Sequence, residues 1–176
     1  TFLYKTLDCK TTLSSCKYVI GAIGGNGFYN INLERYFKIV DAFGMPTLIC
    51  RLKISYDDGT TEDIVSDASW KTSPSPITFS SIYGGEDYDA RMEQAGWNTA
   101  AFDDSKWMNP LLIKAPKGQL LPEQDYPVAL MDSFTVKKVI QPGANTFLYD
   151  FVQNVSVIIR LKVQGRKRQQ IKLIPS

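Results

Sequence analysis

Apolar residues recur at every second position over several stretches of this chain. Leu48, Cys50, Leu52, Ile54 and Tyr56 alternate with Ile49, Arg51, Lys53 and Ser55. A period of two places alternate side chains on one side of an extended backbone, the mark of a strand with one buried face. Asp57, Asp58 and Gly59 predict a turn, and 61–65 reads as the returning strand of a hairpin. Further strands are predicted over 2–7, 18–23, 77–83 and 111–114. Towards the end of the chain, Phe134, Val136 and Val139 lie in a strand-like run that Gln141, Pro142 and Gly143 break. A strand over 147–151 follows. Val155, Val157, Ile159, Leu161 and Val163 form a second clear alternating face, Gly165 marks a turn, and Ile171 and Leu173 open another strand. Helical signals are weak: 89–95 and 103–107 could each hold a single turn.

Many short strands between Gly, Pro and Asp turns predict an all-β fold. The expected form is a jelly-roll-like β-sandwich followed by part of a second antiparallel β-sandwich domain. The boundary is placed at 1–115 and 116–176, where the pattern changes and the charge changes with it. Residues 133–176 carry eight Lys/Arg against one acid, Asp150, while the remainder carries twelve against seventeen. The last forty-odd residues give few strands for a self-standing sandwich. The chain also opens inside a strand-like run and closes just after one. The expectation is a fragment of a larger protein.

Composition narrows the function. The 176 residues are 44% hydrophobic, enough for a buried core. Histidine is absent, which excludes a Ser-His-Asp or Cys-His triad and any His-ligated zinc in this chain. A net charge of +2 gives no strong field for nucleic acid or a membrane surface, and no apolar run is long enough for a transmembrane helix. Arg166, Lys167 and Arg168 read as a solvated turn. Cys9, Cys16 and Cys50 form no C-x-x-C and read as small buried groups.

Two groups of residues could carry chemistry. From Tyr83 to Glu93 the chain places Glu86, Asp87, Asp89 and Glu93 beside Tyr88, Arg91 and two glycines. These carboxylates could be the acid and base of a glycosidase, which stand about 5 to 9.5 Å apart. They could be oxygen ligands for calcium. They could instead hold Arg91 and pin a loop between strands. Trp70, Trp97 and Trp107 each lie near Asp, Ser or Asn; such rings either stack on the apolar face of a sugar or fill the sandwich core. Gly24, Gly25, Asn26 and Gly27 lack the Gly-Lys-Ser/Thr of a phosphate loop and predict a turn or bulge with a positive φ.

Taken in order, these residues resemble the non-catalytic N-terminal β-sandwich domains of bacterial α-L-rhamnosidases, a glycoside hydrolase family. The resemblance rests on IGAIGGNGFYN over 20–30, on Asp67, Ala68, Ser69, Trp70 and Lys71, and on Ser75, Pro76 and Ile77. It continues through Gly85, Glu86, Asp87, Tyr88, Asp89, Ala90 and Arg91, then Gly96 and Trp97, then Phe102, Asp103, Asp104, Ser105, Lys106 and Trp107, and Ala115, Pro116, Lys117 and Gly118. Tyr149, Asp150, Phe151, Val152, Gln153 and Asn154 resemble the next domain's Phe-Asp-Phe-Gly-Gln-Asn strand, with Val152 where glycine is usual.

The resemblance implies a parent enzyme that removes terminal α-L-rhamnose from glycans with carboxylates of an (α/α)6 barrel. No part of that barrel is in this chain, which would be accessory and non-catalytic. Implied partners are the rest of the parent polypeptide and rhamnose-containing glycans, and no nucleic acid or membrane. The implied location is periplasmic or extracellular. In some relatives the corresponding domain binds rhamnose with the help of calcium, so the resemblance admits calcium as a cofactor. For carbohydrate binding, the residues singled out are Trp70, Tyr88 and Trp97 as stacking rings and Glu86, Asp87, Asp89 and Arg91 as polar partners. The alternative is a structural spacer with no ligand.

Overall fold

The structure, a computed structural model, describes residues 2–9, 17–32, 35, 43–114, 117–126 and 129–175. Cys16, Ala115 and Pro116 fall outside them. The chain is all-β: among the described residues there is no α-helix, and eight strands pair in twos. Strand β1 (Phe2–Tyr4) runs parallel to β6 (Leu120–Pro122). The other pairs are antiparallel, β2 (Arg51–Ser55) with β3 (Thr61–Val65), β4 (Ile77–Ser81) with β5 (Gly85–Tyr88), and β7 (Lys138–Gly143) with β8 (Thr146–Asp150). This set of strands is consistent with a β-sandwich. The chain divides into two compact units, Thr1–Glu123 and Gln124–Ser176.

In the first unit the predicted β2–β3 hairpin forms, with Leu52 and Ile54 half-buried between exposed neighbours. Its turn is closed by Asp58, whose Oδ1 accepts from Thr60 N at 2.9 Å and Thr60 Oγ1 at 2.6 Å, and Gly59 takes a φ of 85°. Arg51 reaches diagonally across the pair to Asp63, Nε to Oδ1 at 2.9 Å, a cross-strand contact that supports the register. The same turn recurs. Asp67 accepts from Ser69 N, Asp103 from Ser105 N, and Asp89 from Arg91 N, at 2.8, 3.0 and 3.0 Å. In each, a carboxylate mimics a backbone carbonyl two residues ahead of the donor. The Asp67 and Asp103 turns lead directly to Trp70 and Trp107, which is why those landmarks are legible in the sequence. The expected single helical turn in 89–95 is a 3₁₀ turn, Ala90–Met92, capped by Asp89. Gly27 takes the expected positive φ, 52°.

In the second unit β7 does not stop at Gln141. It runs to Gly143 through an irregularity between Ile140 and Gly143, a bulge that tolerates Pro142 because the ladder is locally open there. Val152 adopts a φ of 70°, and its N–H donates to Asp150 Oδ1 at 2.7 Å. The chain thus keeps a glycine-like turn with a β-branched residue in it. The basic run forms a turn, with Gln169 N donating to Arg166 O at 3.0 Å and Arg166 N to Gln169 Oε1 at 3.0 Å.

Strands expected over 18–23, 111–114, 155–163 and 171–173 are not present as strands. Alternation prepares a face, but a strand also requires a neighbouring backbone to complete its ladder, and these segments have none among the described residues. Cys9 is exposed and Cys50 half-buried, against the expectation of burial. The only apolar side chains buried among the described residues are Ile31 and Phe79.

Candidate functional site

The residues singled out from the sequence converge on the β4–β5 hairpin and the segment that follows it. At the hairpin turn, the hydroxyl of buried Ser81 accepts from Tyr83 N at 3.3 Å and Gly84 N at 3.0 Å. Phe79 lies beneath, and Gly84 leaves room for it: a Cβ there would meet the Phe79 ring at 3.2 Å. The Arg35 guanidinium sits 3.9 Å above that ring, a cation–π contact. Arg35 also takes both oxygens of Asp87, with Nη1 to Oδ1 at 2.9 Å. This bond holds the Asp87 carboxyl below the usual carboxylate range.

The other acids are engaged separately. Asp89 holds Arg91 with both oxygens, Nε to Oδ1 at 2.8 Å. Those bonds, with one from the Arg91 backbone, lower the Asp89 pKa to about 2. Tyr88 donates its hydroxyl to Glu93 Oε1, which raises the tyrosine pKa. The Glu86 side chain makes no hydrogen bond or ion pair with any described residue. Acid and base of a glycosidase must face one cleft; here three of the four carboxylates are spent on different partners. Calcium takes six to eight oxygen ligands. Asp87 and Asp89 each lend both oxygens to a guanidinium, and no group of three His, Cys, Asp or Glu able to hold a metal forms among the described residues. The reading of Arg91 as pinned by a neighbouring acid holds for Asp89, but the pair is exposed rather than buried.

The rings come together. Tyr88, Trp97 and Trp107 line one cleft of about 660 Å³, with Met92, Gln94 and Ser73. Trp107 Nε1 donates to Gln94 Oε1 at 2.7 Å and Gln94 Nε2 to Ser73 Oγ at 2.8 Å. Thr72 and Met108 bond each other's backbone at 2.9 Å both ways. Trp107 also packs edge-on against Phe102, centroids 5.5 Å apart. This network fixes the wall. On another side, Gly21 lets the chain pass close to Trp97: a Cβ there would lie 2.5 Å from the indole. Trp70 lines neither this cleft nor the one beside it. The second cleft, about 390 Å³, holds Glu86, Asn26, Thr78 and Ser80. Asn26, Gln94 and Arg35 were not singled out from the sequence, because nothing short-range marks an amide or guanidinium whose partner lies tens of residues away.

The model for the alpha-L-rhamnosidase N-terminal domain matches residues 1–132. An alpha-L-rhamnosidase of Formosa agariphila is 34% identical over 97% of this chain and 18% of its own length. One from Alteromonas sp. is 32% identical over 96% and 18%, and one from Streptomyces avermitilis 30% identical over 97% and 16%. The solved alpha-L-rhamnosidase from Dictyoglumus thermophilum aligns at a TM-score of 0.59 with 44% identity, over 62% of this chain and 12% of that one. The chain spans less than a fifth of the length of the relatives it matches.

Proposed function

The chain belongs to the alpha-L-rhamnosidase N-terminal domain family, and from that premise we propose that it is an accessory β-domain of a rhamnosidase. It has no catalysis of its own. It supports a catalytic barrel elsewhere in a longer polypeptide and contacts carbohydrate at the cleft of Tyr88, Trp97 and Trp107. The observation that carries this reading is the division of labour in the 83–107 stretch. Asp87, Asp89 and Glu93 are each tied to a separate partner, while its rings share a cleft with a fixed amide, Gln94. A pyranose has an apolar C–H face for a ring and hydroxyls for amides, so this lining suits it. The supporting role rests on the apolar surface: many large apolar side chains are exposed among the described residues, and further protein would cover them.

Calorimetric titration with L-rhamnose tests the binding. The expected result is saturable heat that does not depend on calcium and disappears in Trp97→Ala. Incubation with an aryl rhamnoside tests the rest; release of the aglycone by this chain alone would overturn the accessory reading. The exposed apolar side chains favour a second reading, a structural spacer with no ligand. A folded sample with no heat of binding would select it.

A further inference from the structure

We propose that the two clefts of the first unit form one groove that takes a glycan of at least two sugar units, with the ring-lined end holding the terminal sugar and the Glu86 end holding the next. This rests on the carbohydrate-contacting reading above and adds the length and polarity of the ligand. The two clefts share Ile23, Gly24, Ser75 and Ile77 in their linings, so they adjoin. Gly24 lines both clefts and Gly25 the second, and a Cβ at either would meet no atom within 4 Å.

The ends differ in chemistry. The first has Tyr88, Trp97 and Trp107, with the Gln94 amide held by Trp107 and Ser73 and one of its two N–H donors left over. It can stack a sugar, and Lys71, Ser75 and Asn98 also line it. The second has no tryptophan or tyrosine in its lining. It has the uncommitted Glu86 carboxylate and the hydroxyl of Thr78, which lies at the register shift between Ile77 and Phe79. It also has Asn26, whose Nδ2 donates to Ser80 O at 3.0 Å and whose Oδ1 accepts from Asn30 at 3.1 Å. Those bonds fix the Asn26 amide and leave one of its two N–H donors for a ligand. A carboxylate accepts from two vicinal hydroxyls, and a hydroxyl and an amide complete the set. This end is built for hydroxyls without stacking, as a sugar inside a chain requires when its neighbour already occupies the rings.

The experiment is calorimetry on the intact chain with L-rhamnose and with a rhamnose-terminated disaccharide. The disaccharide is expected to bind about tenfold tighter, the return of one or two added hydrogen bonds. In Glu86→Gln and in Thr78→Val, each checked for an unchanged circular dichroism spectrum, the two ligands are expected to bind alike. In Trp97→Ala both are expected to weaken. Equal affinity of the unaltered chain for the two ligands overturns the groove and leaves the cleft reading standing. So does a disaccharide advantage that survives both substitutions at the second end. No binding of either ligand overturns the groove and the cleft reading together.

Discussion

Residues 67–108 and residues 124–176 fold to different degrees. In the first stretch β4 and β5 pair, Asp67, Asp89 and Asp103 close turns, and Trp107, Gln94 and Ser73 are tied to one another. In the second, β7 and β8 pair, Asp150 closes one turn, and the alternating run over 155–163 stands without a ladder. Ile158 is 92% exposed there. Turn chemistry is local and acts wherever the residues occur. A half-buried strand is a request for a partner, and alternation alone does not supply one.

The contrast is sharpest in hydrogen exchange. Backbone amides of β4 and β5 are expected to be protected and those of 155–163 to exchange near the free-peptide rate; equal protection of the two would break the comparison. Next in size is Gly21→Ala. Its new methyl would overlap the Trp97 indole, and the expected loss is about 1–3 kcal/mol, seen as a lower melting temperature with altered tryptophan fluorescence. The opposite sign is expected in the second unit. A β-branched residue in the left-handed region is strained by about 1–2 kcal/mol, so Val152→Gly should raise the denaturant midpoint reported by β7 and β8, by less than that because glycine also frees the unfolded chain. The smallest effect is expected at Arg91→Gln, where an exposed pair is lost and the melting temperature should hardly move. Its signature is the Asp89 carboxyl, about 2 in the unaltered chain, which should rise towards the ordinary value in a carbon-detected titration. Because the folded value lies below the unfolded one, any stability from Asp89 is present above about pH 4 and is lost as the pH falls towards 2.

Much of the first unit was legible in the sequence for the same reason that it is ordered. The 51–65 hairpin, the turn at Gly27, the 3₁₀ turn after Asp89 and the Asp-x-Ser landmarks are written in residues at most a few positions apart. The strands expected over 18–23 and 155–163 failed because their ladders depend on backbone the local sequence does not contain. At the site, Tyr88 and Trp97 were foreseen and share a cleft; Glu86 was foreseen and lies in the neighbouring one. The pairing of Asp87 with Arg35, 52 positions away, was not readable, and it is this pairing that occupies both Asp87 oxygens.

The recurring Asp turns have one more implication, for how such a domain can drift in evolution. Each uses a single carboxylate oxygen as an acceptor from a backbone N–H. The amide oxygen of asparagine can do the same. Asp-to-Asn exchange at 58, 67 or 103 would leave the chain trace intact while adding one unit of positive charge each time. The turn that shapes the molecule is thereby separable from its charge, and a lineage could move its domain between acidic and basic surroundings without redrawing the fold.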